Sequence, residues 1–416
     1  MPTSHASQSH GWTSPSAPID VRTSPPALVL GNGITALGVI RALGRAGIPL
    51  YAVTADPGFV RASRWYRGPP GGTALDEAEL LADYLRTIPL EEGVLVPTSD
   101  HAVLAVARLP LDLQERFPSS QAPRPVVECL LDKDELRGLL AAHDVPHPRT
   151  VGVDGPDDLD FLVGIDLDRC FIKPRDSQRF SRLHGVKALR PSSRNEMRIL
   201  LDRLAREGHP VVLQEYVPGP PTHHHFLDGF VDREGRVRAC LARRRLRAST
   251  PDFGNSSATV SVPLEDVRPA AVDLMRILEA VGYRGPFNAE FKLDERDGTF
   301  RLLEINVRPW WQVEFAAMCG IDVVTMLYRD ALGLPVADVE GYAVGVEWIL
   351  AFTDLAACVR MARTGDMTWR EVARSRLSAR WVEFSPDDPL PGFARGAGML
   401  WRASRSATRA SGRARR

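Results

Sequence analysis

The stretch "LLEINVRPWW", Leu302 to Trp311, sets a carboxylate, an amide and a guanidinium on alternate residues, Glu304, Asn306 and Arg308, separated by Ile305 and Val307. On a strand, residues two apart share a face, so the three polar groups point together while the apolar pair faces a core. Pro309 has no backbone donor and ends the regular ladder. Two oxygen donors of metal-ligand type and a fixed cation on one face suit a divalent ion, with substrate phosphates completing its shell.

A partner strand is close at hand. "FNAEFKLDERDGTFRLLEIN" reads as two strands joined around "RDG". A four-residue loop, Glu295 to Gly298, pairs Leu293 with Phe300 and puts Glu290 and Glu304 on opposite faces. A three-residue loop, Arg296 to Gly298, has its glycine where a type I turn plus bulge needs positive φ. It pairs Glu295 with Thr299, brings Glu290 opposite Glu304, and sets Asn288 opposite Asn306. Adjacent like charges on a sheet are destabilising unless neutralised, and Mg²⁺ or Mn²⁺ would do this. Spacing alone leaves a second reading open: an edge hairpin in water, its acids paired with Lys292, Arg301 and Arg308.

These residues need a scaffold, and the chain of 416 residues is long enough for two or three domains. Fifty-two basic residues balance 52 acidic ones, so there is no global attraction to nucleic acid or anionic lipid. Five scattered cysteines, without a CxxC pair, argue against a zinc site or disulfide framework and suit a reducing, cytoplasmic setting. Residues 1–26 have no apolar core of the secretory kind and read as a disordered leader; no stretch reads as a membrane span.

"ALVLGNGITALGVIRALGRAGIPLYAVTADP" reads strand, Gly-rich turn, helix, strand, and "GVLVPTSDHAVLAVARL" repeats strand, loop, helix. Residues 27–128 are therefore expected to form a small parallel, Rossmann-like α/β domain. "LLDKDELRGLLAAHDVPHPRT" opens a second unit, 129–335, with Asp132 and Glu135 spaced as a capping box and Lys133 in the first helical turn. A cation there opposes the helix dipole, which hints at an anionic ligand nearby. Residues 336–401 read as mostly helical, and 402–416 as a basic, structureless tail.

Three segments, "DKDELRGLLAAHDVPHPRT", "FIKPRD…VKAL…VVLQEYVPG" and "RGPFNAEFKLDERDGTFRLLEINVRPW", in this order and spacing, resemble the ATP-grasp superfamily, specifically its ATP-dependent carboxylate–amine ligases. The resemblance covers about residues 27–335 and, more weakly, the C-terminal part, where "SPDDPLPG" also fits. It implies an α/β fold, α+β in the catalytic part: a pre-ATP-grasp domain, an ATP-grasp domain with a mobile lid at about 148–212, and a helical extension. It also implies ATP and Mg²⁺ (or Mn²⁺) as cofactors, small-molecule carboxylate and amine substrates, no nucleic acid or membrane partner, and a possible homodimer.

Residue by residue, the resemblance implies that Lys133, Lys173 and Lys187 hold nucleotide phosphates. Gln214, Glu215, Tyr216 and Val217 match the hinge that reads adenine. Glu290, Glu304 and Asn306 match magnesium ligands, and Arg308 the cation beside the transferred phosphoryl group. Arg245, with Arg247 second, is the further basic residue of that pocket. Two departures stand out. The lid loop "PRDSQRFSRLHG" has a single glycine, with Arg179 and Arg182 as substitute donors, and "HHH" at 223–225 replaces an acidic ribose contact. For those histidines a surface run, a ribose or substrate contact and a zinc cluster all stand.

Other readings remain. Gly31, Gly33 and Ala36 with Asp56 fit a loose dinucleotide fingerprint and hence an NAD-dependent oxidoreductase, against helix packing beside the cleft with Asn32 touching substrate. An ATP-grasp-shaped nucleotide-binding or regulatory protein without turnover is the other alternative. Asp100 reads as a helix N-cap rather than a base. Trp310 and Trp311 either wall a pocket or pack in the core.

Overall fold

A computed structural model describes residues 24–75, 77–162, 164–175, 180, 184–250 and 254–413, with the backbone alone for 402–413. The expected leader to residue 23, the lid arginines Arg179 and Arg182, and the last three residues of the tail lie outside the described residues.

Strand β1 (Ala27–Leu30) is apolar throughout and wholly buried, which suits the centre of a parallel sheet covered on both faces. It lies between β2 (Leu50–Val53) and β3 (Val94–Pro97), in register Ala27 to Leu50 and Ala27 to Val94. Helix α1 (Gly33–Arg45) crosses between the first two strands, followed by α2 (Leu81–Thr87), α3 (Asp100–Ala107) and α4 (Leu111–Arg116). The Gly-rich turn has a packing reason. A Cβ at Gly31, whose φ is +129°, would sit 2.3 Å from the Thr98 Oγ1 that hydrogen-bonds the Leu30 carbonyl. Helix α5 (Arg124–Leu131) spans the expected boundary at 128/129 and leads into α6 (Lys133–Ala142).

The segment expected as the lid holds a small antiparallel sheet, β4 (Thr150–Val153), β5 (Cys170–Pro174) and β6 (Val211–Glu215), in order β4-β6-β5. Helix α7 (Arg194–Arg206) buries Met197, Leu201 and Leu204 against it.

The main sheet has seven strands in the order β11-β10-β7-β8-β9-β12-β13. These are β7 (His224–Val231), β8 (Val237–Ala248), β9 (Ser256–Val262), β10 (Gly285–Leu293), β11 (Phe300–Asn306), β12 (Glu347–Ile349) and β13 (Arg380–Trp381). Helix α8 (Arg268–Ala280) lays Leu274, Ile277 and Leu278 on one face, against Phe287, Ala289, Phe291, Leu302 and Ile305. The alternate residues Asn288, Glu290, Glu304 and Asn306 line the cleft on the other face. Burying the odd-numbered β10 residues thus fixes where the even-numbered ones point.

The hairpin register differs from both sequence readings. Leu293 pairs with Phe300, as the four-residue loop requires, yet Glu290 faces Glu304 and Asn288 faces Asn306. The turn is closed by Gly298 N–H donating to the Asp294 carbonyl (2.8 Å) and Asp294 N–H to Thr299 (2.9 Å), so the expected Glu295–Thr299 pair does not form. A β-bulge reconciles the two ends: Phe291 faces Leu302, Glu290 faces Glu304, and Leu303 is the extra residue.

Helices α9 (Val313–Met318) and α10 (Val323–Ala331) pack under α1, and α11 (Ala351–Thr364), α12 (Trp369–Ser378) and α13 (Leu390–Arg413) follow. The region after 335 is mostly helical, and its two short strands, β12 and β13, extend the main sheet. One correction falls in this part. The tail is helical to Arg413 rather than structureless, because the run from Leu390 continues through Ala- and Arg-rich sequence without a proline after Leu390-Pro391. The "SPDDPLPG" segment is held by Arg41 of α1, fully buried, which donates to Asp388 Oδ2 (3.0 Å), Glu314 Oε2 (3.0 Å) and the carbonyls of Val382, Glu383 and Asp388.

Candidate active site

A cleft of about 1090 Å³ lies between the lid, the cleft face of the main sheet and the carboxyl ends of β1 and β3. It gathers Lys173, Lys187, Gln214, Arg245, Glu290, Glu304, Asn306 and Arg308, together with Asn32, Asp100, His224, Leu303, Trp310 and Trp311. Trp310 meets both expectations, lining the cleft while packed in the core with Val313 and Phe315.

Asp132 caps α6, accepting from the amides of Asp134 (2.8 Å) and Glu135 (3.1 Å), and thereby sets Lys133 at the first helical position. Lys133 Nζ donates to the Arg175 carbonyl of the lid at 2.5 Å. Burial and the nearby Lys173 pull its ammonium down to about 8, against the attraction of Glu304 and Asp100. Lys173 stands on β5, and Lys187 donates to Asn255 Oδ1 at 2.6 Å. Lys173 and Lys187 line the cleft, and Lys133 is close enough to Lys173 for the two charges to repel, so an anion near them is favoured.

Below them, Glu290 Oε1 lies 2.7 Å from His224 Nδ1 and 3.0 Å from Arg245 Nη2. Burial alone would raise its carboxyl; Arg245 and His224 overcome this and hold it well below the usual carboxylate range. His224 is itself driven down to about 4 by burial and by Arg245, so at neutral pH it is an uncharged imidazole. Asn306 is oriented by a chain: its Nδ2 donates to Asn288 Oδ1 (2.9 Å), Asn288 Nδ2 donates to Asp228 (2.5 Å), and Asp228 accepts from Arg243 (2.6 Å). Such outer partners fix the direction of a ligand oxygen. Two carboxylates, one half-buried and held ionised by Arg245 and His224, and one oriented amide form a donor set that fits Mg²⁺ or Mn²⁺.

Arg308 reaches across to the N-terminal domain, Nε to Asp100 Oδ1 at 2.6 Å, with Nη2 3.3 Å from Asn306 Oδ1. Asp100 is therefore not the N-cap expected from the sequence. Ser99 is, its hydroxyl accepting from Ala102 N–H, and Asp100 turns to the cleft. Arg247 also departs from expectation. It forks onto Asp354 of α11 (2.8 and 2.9 Å), away from the cleft, because a β-bulge between Arg245 and Arg247 turns the strand.

At the hinge, Gln214 faces the cleft and donates to Thr150 Oγ1 (3.0 Å), while Val217 is buried. The Tyr216 ring lies between Arg190 (4.6 Å) and the buried Lys292 (4.4 Å), whose ammonium burial and Arg245 lower to about 8. The Glu215 carboxylate accepts from Arg296 at 2.6 Å, and among the described residues Glu215, Tyr216 and Val217 flank the cleft rather than line it.

The histidine run splits three ways. His223 meets the Leu293 carbonyl, His224 meets Glu290, and His225 packs edge-on against Phe300. His224 and the Asp228–Arg243 pair are absent from the sequence-derived site. His224 and Asp228 sit on β7, which meets β10 across some 60 residues that no local spacing rule spans, and Arg243 reaches Asp228 from the adjacent strand β8.

Comparison with known proteins fits this geometry. No protein-family profile matches the chain. It is 24% identical to a D-aspartate ligase of Enterococcus faecium (strain Aus0004) over 251 residues, 57% of this chain; the match spans only 58% of that relative. An L-amino acid ligase from Bacillus licheniformis superposes with a TM-score of 0.58 at 16% identity, covering 76% of this chain and 75% of the other. A carboxyaminoimidazole ribonucleotide synthase from Aspergillus clavatus, solved with ATP, gives 0.60 at 14% identity over 78% of this chain and 80% of the other. The chain carries the ATP-grasp fold.

Proposed function

We propose that the protein is an ATP-dependent carboxylate–amine ligase that makes an amide, ADP and phosphate. The observation that carries this is the hairpin register, with Glu290, Glu304, Asn306 and Arg308 on one face of the cleft beneath the lid lysines. The L-amino acid and D-aspartate ligases named above make amino acids the first substrates to try. Glu290, Glu304 and Asn306 would hold Mg²⁺, which would supply charge neutralisation at the terminal phosphates. Lys133, Lys173 and Lys187 bind and align those phosphates, and Arg308 offsets charge on the γ-phosphoryl group as a substrate carboxylate oxygen attacks it. The acyl phosphate so formed carries a good leaving group. An amine attacks its carbonyl carbon, the C–O bond to phosphate breaks, and the amine gives up a proton. The lid excludes water that would otherwise hydrolyse the intermediate. No helix among the described residues is long and apolar enough to cross a membrane.

The test is ADP release across a panel of amino acids, D-aspartate included, offered in pairs with amines. The expected result is release that needs both partners and falls below about one per cent in Glu304→Ala, the loss of roughly 10²-fold or more typical for removal of one group stabilising transition-state charge. Wild-type turnover in that variant refutes the assignment of Glu304. ATP binding without turnover on any pair favours a nucleotide-binding protein instead.

A further inference from the structure

We infer that His184, Glu207 and His209 form a second, transition-metal site on the lid, of the Zn²⁺ class and separate from the cleft. His184 Nε2 and His209 Nε2 lie 3.3 Å apart, and Glu207 Oε2 is 3.7 Å from the first and 3.9 Å from the second. One point is therefore within reach of all three atoms. Zn–N bonds of about 2.0–2.1 Å at a tetrahedral angle put two ligating nitrogens about 3.3–3.4 Å apart. The imidazole pair already has that separation, and the carboxylate oxygen needs a few tenths of an ångström of side-chain rotation. Among the described residues this is the one group of three His, Cys, Asp or Glu side chains whose ligand atoms converge in this way.

The placement is built by the fold. Glu207 ends α7 and Gly208, at φ +69°, turns the chain so that Glu207 and His209 come to the same side. The His209 amide closes the turn on the Leu204 carbonyl at 2.9 Å. Phe180, buried, backs both imidazoles, its centroid 4.3 Å from that of His184 and 5.5 Å from that of His209. Partial exposure of all three ligands leaves a fourth position for water. Two nitrogens and one carboxylate prefer Zn²⁺ to Mg²⁺, which takes oxygen ligands. His184 precedes Lys187 by three residues, so an ion here ties the segment bearing a cleft lysine to the back of the lid.

The test is Zn²⁺ titration of chelator-stripped full-length protein in excess Mg²⁺ by calorimetry, with Co²⁺ as a visible-absorption probe of four-coordinate geometry. The expected stoichiometry falls by one in His184→Ala/His209→Ala, and Glu207→Gln, which preserves shape, weakens that site by at least roughly 10–100-fold. Any Zn²⁺ held at Glu290 and His224 persists in these variants and disappears in Glu290→Ala. Unchanged stoichiometry in the double histidine variant, with circular dichroism confirming its fold, overturns the proposal, as does absence of Zn²⁺ binding by the wild type beyond that lost in Glu290→Ala.

Discussion

Replacing Arg41 by Met tests whether one buried guanidinium joins the N-terminal domain to the rest of the chain. The side chain is fully buried and uses all of its donor nitrogens on Glu314, Asp388 and three main-chain carbonyls, at 2.6 to 3.2 Å. Met fills much of the volume but donates nothing. Removing one partner of a buried ion pair costs about 3–5 kcal/mol, since the abandoned charge stays buried. Two residual contacts soften the loss: Glu314 keeps Arg45 at 3.0 Å, and Asp388 keeps the Arg64 amide at 2.8 Å. The three carbonyls pull the other way, at about 1–3 kcal/mol for each left unsatisfied. The expected destabilisation is therefore at least about 3–5 kcal/mol, read from urea unfolding followed by tryptophan fluorescence. Arg41→Met/Glu314→Leu should recover part of it, the pair being coupled. A loss below about 1 kcal/mol, the value of an exposed pair, refutes the reasoning.

Three further outcomes are expected. Arg308→Ala should lower turnover by about 10²–10³-fold in steady-state assays, with a smaller change in ATP affinity, since in the proposed reaction its charge acts on the transferred group. Burial would raise the Asp294 carboxyl, but Arg296 and Arg301 hold it well below the usual range. Its contribution to stability is thus complete above the unfolded value of about 3.9 and lost as pH falls through the folded one, so unfolding curves of Asp294→Asn and wild type should converge in acid. Ser99→Ala should cost about 1 kcal/mol in thermal or urea unfolding through loss of the α3 cap.

The pairing that gathers Glu290, Glu304 and Asn306 on one face is largely legible in the sequence. Alternation along β11 and the position of Gly298 are local patterns, and they led to Glu290 opposite Glu304. The route was nonetheless wrong at the turn, because a bulge exchanges one loop length for another with the same outcome and leaves no mark in composition. Asp100 was misread for a related reason: Ser99 and Asp100 are both good caps, and only the guanidinium of Arg308, 208 residues away, decides which one turns inward. His224, Asp228 and Arg243 depend on long-range strand pairing, and β12 and β13 are too short to show a period of two. In the C-terminal segment the sequence offers only the resemblance of "SPDDPLPG". Its physical reason is the carboxylate and carbonyl cage around Arg41.

The extra residue in β11 has a consequence of its own. Because Leu303 and Glu304 both reach the cleft, a greasy surface and an acidic one stand side by side without a residue between them. Evolution, or an engineer, is thereby given two independent dials at consecutive codons. Exchanging Leu303 for Met or Phe changes the apolar lining of the cleft, and the neighbouring carboxylate keeps its address.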